Sequence, residues 1–166
     1  MILRDDDIFL TESPTQGRQL YNFEKFKTVH EYIASKGHKH AIAIIAAEIE
    51  NYPELRDYIL KRKDEFIFGV HGWAHTHYIK WSFENTALSL ERAKNKIEET
   101  FDVKVEWFFP PWNEVSPDVL IGATRAGLDT NRSQTSTTGW LKGERADTIC
   151  FHYWNDGQFG ELKKII

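Results

Sequence analysis

Hydrophobic and polar positions along the chain switch between two periods. Met1-Ile2-Leu3-Arg4 reads as a short strand that breaks into an acidic turn. Phe23, Phe26, Val29 and Ile33 recur at helical spacing, and Gly37 follows as a stop. Residues 41–47, AIAIIAA, form an unbroken apolar run of strand length, the pattern of a strand covered on both faces. Leu55, Tyr58 and Ile59 predict a helix over residues 53–62, and FIFGV at 66–70 predicts the next buried strand. A long helix is expected over residues 83–100, with Leu88, Leu90, Ala93 and Ile97 near one face. Residues 103–109 read as a strand ending at Pro110-Pro111. Ser116 is placed to cap a helix with Pro117 in its first position, and Gly127 ends it. Residues 128–142 are polar and strand-poor. Residues 148–151 read as a final buried strand and 159–166 as a short terminal helix.

Repeated strand–helix alternation implies an α/β fold with a mostly parallel sheet. No internal repeat or linker interrupts it, and 166 residues suit one domain, 1–166. Parallel strands present functional loops at their C-terminal ends. Chemistry is therefore expected just after each strand.

Composition narrows the function. With 41% hydrophobic and 28% charged residues the chain is globular rather than disordered. Aromatics reach 14%, with six tryptophans, which suits a core and also contacts to carbohydrate or other flat ligands. The net charge is −4, and Lys and Arg are dispersed among Asp and Glu, so the basic stripe of a nucleic-acid partner is absent. No apolar run approaches the ~18 residues of a membrane span. Arg4 is followed at once by three aspartates, not by an apolar leader, so a cytoplasmic location is expected. Cys150, the only cysteine, cannot form an intrachain disulfide, and its apolar neighbours suit a small buried hydrophobe. Oligomeric state leaves no signal in the sequence.

The strand ends carry the candidate chemistry. Asp5-Asp6-Asp7 follows the first strand; three adjacent carboxylates repel one another unless something such as a metal gathers them. His71-Gly72-Trp73-Ala74-His75 follows the FIFGV strand, and histidines at i and i+4 on one helical face can chelate one ion. Gly72 stands where a metalloprotease motif needs its glutamate, which excludes that class. Two imidazoles and a carboxylate make a common catalytic zinc set and also suit iron(II) or cobalt. His77 falls half a turn past His75 and reads as a neighbour rather than a ligand. His38 and His40 precede a strand, so a solvent-facing position is expected. His30 lies in the first helix with no functional reading. Phe109-Pro110-Pro111-Trp112-Asn113 is a stiff loop in which Trp112 could wall a pocket and Asn113 could offer an amide. His152 at the last strand end is a candidate general acid, because imidazole is the side-chain type best suited to exchange protons near working pH.

These residues resemble the motifs of the polysaccharide deacetylase family, the chitooligosaccharide deacetylase type of carbohydrate esterase family 4. Leu3-Arg4-Asp5-Asp6-Asp7-Ile8 is similar to L-T-F-D-D-G, where the first Asp is the base and the second a metal ligand. That register makes Asp6 the base and Asp7 the ligand, and it keeps Leu3 at the apolar strand position. A shift by one would give Asp5 and Asp6. His71 and His75 match H-[ST]-x-x-H, with Gly72 in place of the hydroxyl residue. Residues 109–113 are similar to R-x-P-[YF]-G, with Phe109 in place of the arginine that orients the base. Ile149-Cys150-Phe151-His152 looks like L-x-L-H. Asp129 is the candidate for the remaining Asp-Trp motif.

The resemblance implies a distorted (β/α) barrel of about six or seven parallel strands and a metal-dependent hydrolase removing an acyl group, N-acetyl, from a carbohydrate amide. Asp7, His71 and His75 would hold Zn²⁺, or Co²⁺, Ni²⁺ or Fe²⁺. Asp6 would be the base and His152 the acid. Pro111, Trp112, Asn113, Trp73, Tyr153 and Trp154 would contact substrate or the oxyanion. Arg125 and Arg132 are the candidates for the cation missing at Phe109. Two other readings stand beside this one: a hydrolase of a small non-sugar amide on the same scaffold, and a non-catalytic glycan-binding domain with a structural metal.

Overall fold

The computed structural model describes residues 1–13, 17–130 and 133–166. Seven strands form one sheet: β1 (Ile2–Ile8), β2 (His40–Ile45), β3 (Phe66–Gly72), β4 (Trp107–Phe108), β5 (Asp129–Thr130), β6 (Gln134–Ser136) and β7 (Thr148–Phe151). Six α-helices accompany them among the described residues: α1 (Phe23–Ser35), α2 (Pro53–Lys61), α3 (Phe83–Phe101), α4 (Pro117–Arg125), α5 (Thr137–Leu141) and α6 (Asp156–Ile165). The strand order is β5-β4-β3-β2-β1-β7-β6, and every pairing is parallel.

The two outermost strands are neighbours in sequence. Thr130 ends β5 and Gln134 begins β6, and four residues of chain reach about 14 Å at most. The sheet must curl until its edges nearly meet. The result is a distorted α/β barrel, as the family motifs imply.

Local rules account for most element ends. Asn22, Ser82 and Ser116 cap α1, α3 and α4 by accepting from Lys25, Asn85 and Val119 N–H groups. β2 is buried along its whole length, as its unbroken apolar run predicts. The core joins strand residues such as Leu3, Ile42, Val70 and Phe108 to Phe26, Leu55, Leu90, Ile97 and Val119 on the helices.

Several elements differ from expectation. β1 does not break at the acidic run but continues through Asp5, Asp6 and Asp7 to Ile8, all buried. β4 is only two residues long, where residues 103–109 read as a strand. β5, β6 and α5 lie in the polar stretch 128–142; they are too short to show a period. His40 is fully buried in β2 rather than solvent-facing, because the strand begins one residue before its apolar run.

Candidate metal centre

Regular strand alternation would point Asp5 and Asp7 to one side and Asp6 to the other. The pairing of β1 with β2 instead shifts register between Asp5 and Ile8, and Asp7 takes φ 63°. Such an irregularity re-aims side chains at a strand end. Asp6 and Asp7 both reach one cleft, while Asp5 turns into the interior.

The three carboxylates avoid mutual repulsion in three different ways. Asp5 accepts the Tyr153 N–H at 2.8 Å and lies 3.2 Å from His40 Nε2. Burial pushes the Asp5 carboxyl well above the usual carboxylate range and pulls His40 down to about 3. Asp6 receives two hydrogen bonds from Arg4, from Nε at 2.8 Å and Nη2 at 2.6 Å. Asp7 faces the imidazoles of His71 and His75. Burial pushes its carboxyl up, but the two rings outweigh that and hold it well below the usual carboxylate range.

His71 sits at the end of β3, and its Nδ1 donates to the Phe109 carbonyl at 2.6 Å. That bond fixes the tautomer and leaves Nε2 as the free lone pair. His75 follows four residues on, reached by a bend at residues 73–75 and not by the helical turn that the i, i+4 spacing suggests. The bend needs Gly72, whose φ is 121°; a Cβ there would lie 2.7 Å from the Ala74 carbonyl and 2.9 Å from the Tyr78 hydroxyl. This explains the glycine where the motif usually has a hydroxyl residue.

Asp7 Oδ1 lies 3.4 Å from His71 Nε2 and 3.2 Å from His75 Nε2, and one ligand atom from each of the three residues falls within 4.8 Å of the others. Oδ1 is buried and has no hydrogen-bond partner among the described residues. Ligands about 2.1 Å from a tetrahedral ion stand about 3.4 Å apart. The spacing, the orphaned oxygen and the mixed imidazole–carboxylate set all fit a zinc-like divalent ion.

His152, at the end of β7, brings Nε2 to 3.6 Å from Asp7 Oδ2. Gln158 Oε1 accepts both the His152 backbone N–H, at 2.8 Å, and its Nδ1, at 3.1 Å. An amide oxygen only accepts, so the ring proton sits on Nδ1 and Nε2 faces the cleft.

The cleft measures about 300 Å³ and is lined by Asp6, Asp7, His71, His75, Trp112, Asn113, His152 and Trp154, with Ser13, Arg18 and Leu20 at one side. Trp112 stacks on His77 at 3.7 Å and meets His75 edge-on at 4.1 Å. His77 in turn pairs with Glu114 at 2.7 Å. Trp112 and Asn113 take φ values of 53° and 57°, so the loop after β4 is held in a sparsely populated conformation beside the cleft. Pro111 is buried in that turn.

Other candidates fall elsewhere. Trp73 lies under the Arg92 guanidinium, 3.5 Å from the ring centre, and Tyr153 is buried against Phe26; neither lines the cleft. Asp129 is exposed on β5 and is not a cleft residue. Arg125 packs on Phe83, and Arg132 lies outside the described residues. The cation beside Asp6 is Arg4, which sequence reasoning missed. A signal existed: a charged residue inside a buried strand needs a counter-charge, and position i+2 shares its face.

Comparison with known proteins agrees with this architecture. The chain matches the polysaccharide deacetylase family model over residues 23–130, more than half its length. No curated protein sequence matches it. Among solved structures, a carbohydrate esterase family 4 pseudoenzyme from Bacillus anthracis superposes with a TM-score of 0.77 at 15% identity, covering 99% of this chain and 58% of that one. A family 4 carbohydrate esterase from Streptomyces lividans, in complex with acetate, gives 0.72 at 13% identity, covering 99% and 84%. A family 4 acetyl xylan esterase from Clostridium thermocellum, in complex with a cobalt ion, gives 0.68 at 15%, covering 92% and 73%. The chain thus spans less than two thirds of the Bacillus anthracis protein, and at these identities the likeness is one of fold. With most of its length matched by the family model, the chain belongs to the polysaccharide deacetylase family.

Proposed function

We propose that the chain is a metal-dependent deacetylase that removes an N-acetyl group from a carbohydrate amide. The observation that carries this reading is the gathering of Asp7, His71 and His75 beside Asp6 and His152 in one cleft. The cobalt in the similar Clostridium thermocellum structure supports a divalent ion, and zinc suits the donor set.

A bound ion supplies Lewis acidity to a water and to the acyl oxygen. Asp6 faces the cleft with its carboxylate fixed, and takes the proton of the attacking water. His152 holds Nε2 toward the cleft; in its imidazolium form, with Nδ1–H kept on Gln158, it carries a second proton on Nε2 and delivers that one to the leaving nitrogen, without which an amide departs poorly. Trp112 and Trp154 give the flat apolar surfaces on which a sugar ring packs.

Acetate release from N-acetylglucosamine oligomers tests this reading. Zinc-loaded protein should release acetate, chelator should stop it, and Asp6→Asn should lower the rate on the order of 10²–10⁴-fold. Zinc-loaded protein that releases none, or release that survives both chelator and Asp6→Asn, removes the reading. Release from small non-sugar amides alone favours a different amide hydrolase on the same scaffold.

A further inference from the structure

We propose that Arg4 is a positioning residue that aims the Asp6 carboxylate, acting through a buried clamp that spans the closing seam of the barrel. The inference rests on the deacetylase reading above.

Arg4 has a fully buried side chain, and Asp6 is 8% exposed, on the cleft side. The guanidinium makes four hydrogen bonds. Nε and Nη2 hold the two oxygens of Asp6 at 2.8 and 2.6 Å. Nη2 also donates to Asn113 Oδ1 at 2.6 Å, and Nη1 to Gln134 Oε1 at 2.6 Å. A two-point contact fixes the plane of a carboxylate, which a point charge such as ammonium does not. The supports come from separate elements: Asn113 from the loop after β4, and Gln134 from β6, the strand beside β7 at the barrel's closing edge.

Phe109 completes the arrangement. Its ring centre lies 5.0 Å from the Arg4 guanidinium carbon, and its edge fills the space that a Cβ on Gly69 would take, 2.3 Å away. Position 109 is therefore close enough for a long side chain rooted there to enter the guanidinium's volume. Asp6 can be served from β1 or from position 109, and this chain serves it from β1.

A buried ion pair could instead serve stability alone. The two roles separate in kinetics, because orientation of the base acts on kcat while a purely structural loss shows in unfolding. The test uses full-length Arg4→Met, Arg4→Lys and Arg4→Met/Phe109→Arg, each checked for zinc stoichiometry and urea midpoint. Arg4→Met should keep one zinc and lose about 100-fold in kcat with KM changed less than about threefold, the scale of one misplaced catalytic group. Arg4→Lys should fall between Arg4→Met and the parent chain. Restoring the cation from position 109 should recover at least about tenfold. A folded Arg4→Met with parental kcat, a loss confined to KM, or a folded double variant no faster than Arg4→Met overturns the proposal. If Arg4→Met does not fold, Arg4→Lys decides: parental kcat overturns the proposal and a kcat deficit at unchanged zinc content supports it. Parent protein that binds zinc yet releases no acetate removes the deacetylase reading and the proposal with it. Active parent protein beside indifferent Arg4 variants removes the proposal alone.

Discussion

The Asp5 carboxyl and the His40 ring face each other at 3.2 Å with no solvent exposure, directly behind the two aspartates of the cleft. Burial disfavours charge on both groups, and Asp5 is not among the residues that line the cleft, so a structural role is expected for it. Asp5→Asn keeps an oxygen for the Tyr153 N–H and an N–H for His40. It should bind zinc as the parent does, with a stability change within about 2 kcal/mol. Asp7→Asn should bind zinc at least tenfold more weakly. Side-by-side zinc titrations check the contrast, and parental zinc affinity in Asp7→Asn would contradict Asp7 as the ligand.

Gln158 determines which nitrogen of His152 meets the cleft, by accepting two N–H groups on one oxygen. Gln158→Leu should leave zinc content unchanged and lower kcat about tenfold, with KM nearly constant. Steady-state kinetics with metal analysis reads this directly, and a variant with parental kcat would show that the ring needs no support.

Gly72 and Gly37 both have positive φ but differ in surroundings. Gly72→Ala meets the Ala74 carbonyl and the Tyr78 hydroxyl, whereas Gly37→Ala meets nothing within 4 Å. Urea unfolding should show a loss of at least about 2 kcal/mol for Gly72→Ala and about 1 kcal/mol for Gly37→Ala. Equal losses would mean that backbone conformation alone sets the cost.

His30 lies 3.2 Å from Glu65 and stacks on Phe66 at 4.2 Å. Burial, aided by His40, lowers its pKa to about 4. The unfolded chain takes up this proton near pH 6.5 and the folded chain only near 4. Stability is therefore fully present above 6.5 and falls toward 4, by at most about 1.4 kcal/mol per pH unit from this group. His30→Phe should flatten that part of the acid limb in urea midpoints measured from pH 7 to 4. An unchanged slope would mean that the ring is already protonated in the fold.

The sequence showed the outline of the site more clearly than its wiring. His71 and His75 were legible because an i, i+4 pair directly after an apolar run has few other uses. His152 followed from its place at a strand end. Among Asp5, Asp6 and Asp7, pattern alone offered no choice, because the register shift in β1 breaks the alternation that would have ranked them. Arg4 stands at the end of the strand that the apolar pattern predicts, so its place inside a longer buried strand is not legible from that pattern. Trp73 and Tyr153 were misplaced because aromatic residues serve a core as readily as a cleft. β5 and β6, at two and three residues, carry no readable period, yet they bring the barrel's edges together and place Gln134 on Arg4.

Zinc binding by chelator-treated protein tests the central claim most directly. Isothermal titration should show one equivalent bound in the micromolar range or tighter, retained by Asp5→Asn and lost in His71→Ala/His75→Ala while circular dichroism shows both variants folded. Protein that takes up no zinc, or a folded double variant that still binds one equivalent, contradicts a metal centre at Asp7, His71 and His75.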